Sequence, residues 1–134
     1  MNVDIVVAMW GRWHIGAFSA STLPTALAPQ NLPALAAAHR CRFRVLTRDA
    51  DVHTVDAIPA MRALRGLMPV EVLPMTPETN VPAPYHLEWW HRAGDEAKQR
   101  NAVVVNLPPD VVFPQGCIPN LIAPLAQGRA AALH

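Results

Sequence analysis

This chain predicts a mostly parallel, three-layer α/β/α sheet of Rossmann-like type, in a single domain over residues 1–134. Three observations carry that prediction. Short apolar, β-branched runs alternate along the chain with stretches of helical composition. The first of these runs shows no polar alternation, as expected of a strand covered on both faces. Finally, 51% of the 134 residues are hydrophobic, enough to fill one core.

The first run, "DIVVAMW" from Asp4 to Trp10, is closed by Gly11 and reads as a central parallel strand. Phe18 to Ala28 has helical composition, with Ser19, Ser21 and Thr22 as cap candidates. Pro24 must sit there in a first turn or make a kink, so two short helical pieces are expected. Asn31 then caps "LPALAAAH". In the second strand, "CRFRVLT", Cys41, Phe43 and Val45 point one way and Arg40, Arg42 and Arg44 the other, which gives at least one polar face. Thr54 to Gly66 contains a helix ended by Gly66, and "MPVEVLP" is the third strand.

Pro84 opens "YHLEWWHRAGDEAKQRN", the best helix in the chain. Tyr85, Trp89, Ala93 and Ala97 recur there every four residues, Trp90 lies alongside, and Glu88 faces Arg92. "AVVVNL" is the fourth strand, "IPNLIAPLAQG" a short helix ended by Gly128, and "RAAAL" a candidate last strand. Fourteen prolines, clustered in the connections, stiffen the joints between these short elements.

Net charge is +1, and ten of the eleven basic residues are arginine, so nothing global points to nucleic acid or an anionic membrane. Two cysteines, Cys41 and Cys117, are too few for a disulfide framework and fit a reducing compartment. No apolar run reaches the ~18 residues of a membrane span. Asp4 stands where a signal peptide would carry its basic start, so a soluble, cytoplasmic protein is expected.

Ligands of open parallel sheets bind at the carboxyl ends of the strands. The informative segments are therefore "WGRWH", "TRDAD", "PMTPE" and "PPD". Neither Gly-x-Gly-x-x-Gly nor Gly-x-x-x-x-Gly-Lys is present, so a bound phosphate would need a metal or arginines. Asp110 follows two prolines and is either a turn former or a ligand. Asp49 and Asp51 are either Asx-turn and cap residues, Asp51 the more cap-like, or nucleoside contacts. Trp10 and Trp13 fall in a glycine-containing loop, where they either stack on a base or pack at the sheet edge.

Trp89 and Trp90 have the spacing of core residues, with a binding role as the alternative. His86 and His91 stand about 140° apart on a helix, so "HLEWWH" is not the zinc motif His-Glu-x-x-His. His91 can still face the cleft and touch a diphosphate. The face shared by Arg40, Arg42 and Arg44 is a solvated edge or, alternatively, a phosphate or acceptor patch. Neither cysteine has the neighbours of a nucleophile.

The runs "DIVVAMWGRWHIGAFSASTLPTALAPQNLPAL", "FRVLTRDAD" and "AVVVNLPPDVVFPQGCIPNLIAPLAQGRAA" together resemble the nucleotide-binding half of a GT-A-type glycosyltransferase. More narrowly, the chain is similar to a family-2-like group of bacterial proteins with Trp-Gly after the first strand and Pro-Asp after the fourth. The resemblance implies a nucleotide-diphospho-sugar transferase fold. It also implies a nucleoside-diphosphate sugar as ligand, a saccharide or lipid-linked acceptor, and Mg²⁺ or Mn²⁺ on the diphosphate. Carried over by position, Trp10 and Gly11 border the nucleoside, Thr47, Asp49 and Asp51 contact base or ribose, and Asp110 meets the metal. A hard cation wants such oxygen ligands and neutralises the leaving diphosphate.

Two departures bear on activity. Pro108 stands where the family's Asp-x-Asp would begin, and residues 111–134 contain no Asp or Glu to act as general base. The expectation is a truncated domain, its base supplied from outside the chain. The first alternative is a degenerate, non-catalytic binding or assembly domain, or a fragment, that dimerises through an exposed sheet edge. The second is an unrelated flavodoxin-like domain, which would need a phosphate or flavin loop where "WGRWH" stands.

Overall fold

In a computed structural model, which describes residues 1–75 and 85–126 apart from the side chains of 85–88 and 126, the chain builds a four-stranded, all-parallel sheet. β1 (Asn2–Ala8) lies inside it, between β2 (Arg40–Thr47) and β4 (Ala102–Asn106), and β3 (Val70–Pro74) pairs with β2. The order is β3-β2-β1-β4. This is the order of a Rossmann half; the flavodoxin-like alternative would place the third strand beside the first.

The helices follow from that order. From β1 the chain steps to β2 and then β3 in one direction. The intervening helices are α1 (Gly11–Ala17), α2 (Leu23–Ala26), α3 (Leu32–Ala38), α4 (Val52–Asp56) and α5 (Met61–Leu67). All five bury apolar side chains against one face of the sheet, around Ile5, Val7, Phe43 and Val45. The chain then reverses and crosses from β3 to β4. A right-handed crossover in the opposite direction must pass over the opposite face, and α6 (Tyr85–Gln99) lies there, on Val6, Ala8 and Leu46 through Trp89 and Ala93. α7 (Cys117–Ala126) returns to the first face through Ile118 and Ile122.

Several local expectations change. The segment after β1 is not a loop, because α1 starts at Gly11 and runs through one π-type turn (Phe18–Thr22) into α2. Pro24 sits where the π-type turn passes into α2. Ser19, Ser21 and Thr22 lie inside this helical run rather than capping it. Asn31 holds the cap position of α3 but makes no capping bond there. α5 continues through Gly66 to Leu67, and Pro59 separates it from α4.

Arg40 at the start of β2 is exposed, but Arg42 and Arg44 do not form a solvated edge. β2 is an interior strand, and Arg42 meets Asp4 of β1 in a two-pronged ion pair, Nε and Nη2 each 2.8 Å from a carboxylate oxygen. Arg100, in the turn just after α6, pairs with the same fully buried carboxylate. Arg44, 4% exposed, bonds Glu71 of β3 at 3.0 Å and also Glu96 of α6, while Arg92 reaches Glu96 at 3.3 Å. Arg42 and Arg44 thus each find a carboxylate on a neighbouring strand, and Arg44 a second on the helix above, which is what lets them leave water.

Both cysteines are free thiols. Among the described residues no helix is long and apolar enough to cross a membrane. The segment after Met75, the side chains of Tyr85, His86 and Glu88, and the expected end at Gly128 and strand "RAAAL" lie outside the described residues.

Candidate functional site

The order of strand addition reverses after β3, so that β4 pairs with the free side of β1, and a crevice lies between the ends of these two strands. Such a switch point is where open α/β sheets bind ligands. A cleft of about 200 Å³ lies there. It is lined by Ala8, Met9 and Trp10 at the end of β1, His14 of α1, Trp90 of α6, and Pro109 and Asp110 after β4. A larger hollow of about 310 Å³ lies along β4 and α7, but its lining is hydrocarbon apart from the backbone, Asn106 and Cys117, and it offers no acid or base.

The first wall is set by a change of backbone. Trp10 is extended, and Gly11 then takes φ +81°, a left-handed value natural to glycine, to start α1 at once. The Gly11 N–H donates to Oδ2 of Asp51 at 3.1 Å, and Arg48 donates to the same oxygen at 2.8 Å. The Arg48 hydrogen bond, with help from the Gly11 amide, holds the Asp51 carboxyl below its ordinary range despite partial burial. Asp51 therefore ties two strand ends together. It occupies the N-terminus of α1, where a dinucleotide fold seats a phosphate.

Aromatic rings continue this wall. Trp10 meets buried Trp89 edge-on, with ring centroids 5.5 Å apart, and lies 6.1 Å from the His14 ring. Trp13 meets His14 edge-on at 5.0 Å.

The opposite side is the loop after β4, held by polar side chains from the helical run facing it. The Thr22 hydroxyl donates to the carbonyl of Pro109 at 2.8 Å and accepts from the N–H of Val111 at 3.0 Å. Thr25 accepts from the N–H of Phe113 at 3.0 Å. Asn31 donates to the carbonyls of Thr25 and Pro114 and accepts from the N–H of Ile118, so it caps α7 rather than α3. The turn around Asp110 is thus secured without Asp110, whose exposed side chain makes no hydrogen bond or ion pair among the described residues.

Of the residues expected to act, Trp10 and Asp110 line one cleft and Gly11 and Asp51 are bonded to each other. Thr47 is fully buried at the end of β2, its hydroxyl without a partner among the described residues, and Asp49 is exposed in the short turn Asp49–Asp51. His91 is exposed on α6 and does not line the cleft; Trp90 beside it does. His14 joins the cleft lining from α1, a helix that the sequence presents as a glycine-containing loop. No three His, Cys, Asp or Glu residues gather into a metal-binding group among the described residues, and Asp110 is the one carboxylate of the described cleft lining.

Comparison with family models, curated proteins and solved structures finds no match. The chemistry of the cleft has to be read from its own residues.

Proposed function

We propose that this chain binds a nucleoside-diphosphate sugar in the switch-point cleft, as the sugar-nucleotide half of a GT-A-like glycosyltransferase acting on a saccharide or lipid-linked acceptor. One observation carries the reading: the cleft at the winding reversal combines two tryptophans with a carboxylate that its own turn does not use. Trp10 and Trp90 offer apolar rings to the nucleoside. Asp110 offers an oxygen to Mg²⁺ or Mn²⁺, but one carboxylate does not hold a hard cation unless phosphate oxygens complete its shell. The residues therefore fit a cation that enters with the donor. Bound there, it would neutralise charge on the diphosphate. With Asp51 already at the N-terminus of α1, the helix offers the phosphates little, which makes that neutralisation more important.

A second reading, a binding module without catalysis, is favoured by the single acid in the cleft: nothing else among its described lining residues except His14 could take a proton from an acceptor hydroxyl. Calorimetric titration with uridine, guanosine and thymidine diphosphates, with and without Mn²⁺, tests the first reading. Manganese-dependent binding that is lost in Asp110→Ala is expected. Absence of nucleotide binding, or binding indifferent to both metal and mutation, refutes it. Binding without transfer or hydrolysis of any donor would select the module.

A further inference from the structure

We propose that Trp13 and His14 form a saccharide-stacking rim beside the cleft, a subsite for the acceptor sugar; this rests on the cleft itself being the donor site. Trp13 is 68% exposed, more than any other large hydrophobic side chain described, and it is not one of the residues lining the cleft. Its indole is nonetheless anchored, held edge-on by the His14 ring at 5.0 Å and 88°. His14 does line the cleft, so a ring resting on Trp13 lies next to whatever the cleft holds. From Trp13 through His14 and Trp10 to Trp89 the rings pass from solvent into the core, which gives the outermost one a firm footing.

A pyranose suits this surface. Its C–H face packs on an exposed indole, and its hydroxyls need polar partners alongside. The imidazole of His14 and the unengaged carboxylate of Asp110 line the neighbouring cleft. A protein partner suits it less, because the α1 residues around Trp13, Arg12 and Gly16, are exposed and provide no apolar surround.

The four tryptophans give four indole N–H resonances in the ¹⁵N-labelled chain, assignable by single Trp→Phe variants. The probes are uridine, guanosine and thymidine diphosphates with Mg²⁺, and separately four neutral tetrasaccharides built on glucose, galactose, mannose and N-acetylglucosamine. Nucleotide is expected to move Trp10 and Trp90, and at least one tetrasaccharide to move Trp13 saturably. Trp13→Ala should weaken that saccharide about tenfold, the worth of one aromatic stack, and leave the nucleotide shifts in place. If no saccharide moves Trp13 up to its solubility limit, or if Trp13 responds only to protein concentration and so marks self-contact, the rim is overturned. Should a saccharide move Trp13 while nucleotides move nothing, the rim stands as a sugar site and the donor reading falls.

Discussion

Thr22 decides whether Asp110 is presented or lost. Its hydroxyl both donates to and accepts from the loop after β4, so Thr22→Val removes two hydrogen bonds and leaves a partly buried carbonyl and amide short of partners. The expected loss is about 1–3 kcal/mol by urea denaturation, with Thr22→Ser retaining most of it. Nucleotide affinity should fall as well, though no cleft residue has changed. Gly11 invites a matching test. A Cβ added there meets nothing within 4 Å, so Gly11→Ala costs only the left-handed backbone, about 1–2 kcal/mol in the same measurement. Neither role was legible in the sequence. A threonine in mid-helix reads as an indifferent residue unless the loop it holds, 87 positions away, is known to lie against it.

At the scale of elements, the strands were legible and the start of α1 was not. A buried parallel strand announces itself by uninterrupted β-branched residues, as "DIVV" and "VVV" do. α1 begins without a capping side chain, on a tryptophan and a glycine, and both resemble loop residues. The arginines of β2 misled for a related reason. Alternation shows that one face is polar, but not that Asp4, Glu71 and Glu96 will come to meet it from other elements. Burial by itself would raise the Glu96 carboxyl, but the hydrogen bond and charge of Arg44, with Arg92, outweigh it and bring it below the ordinary range. Asp51 is likewise depressed, first by Arg48. The stability these two contribute is complete above the ordinary carboxylate range of about 4 and is lost as pH falls through their lower native values. Thermal midpoints should therefore drop progressively on acidification below about pH 4, and Glu96→Gln should blunt that drop. An unchanged slope in the variant would count against the pairing of Glu96.

At the scale of the molecule, the two faces of the sheet are unequally held. Five helices and α7 cover one face, whereas α6 alone among the described elements covers the other, through Trp89 and Ala93 and through the ion pair of Glu96 with Arg44. Hydrogen exchange should accordingly open α6 before β1 and β2, and Ala93→Gly should widen that gap. Asp4→Asn leaves Arg42 and Arg100 sharing a neutral amide in a buried site. It should cost about 3–5 kcal/mol, as breaking a buried pair does, read as a lowered denaturation midpoint at neutral pH.

The Arg42–Asp4 and Arg44–Glu71 pairs also carry a consequence for folding errors. They join residues directly opposite each other across β1, β2 and β3. A slip of β2 by one residue would turn both guanidiniums toward Phe18 and the apolar core around it, and bring Phe43 out under α6. The misthreaded sheet would then bury unpaired charge on one side and strand an aromatic on the other. The ionic patch thus works as a proofreading mark against a one-residue slip, tolerated in the finished protein because that alternative is worse.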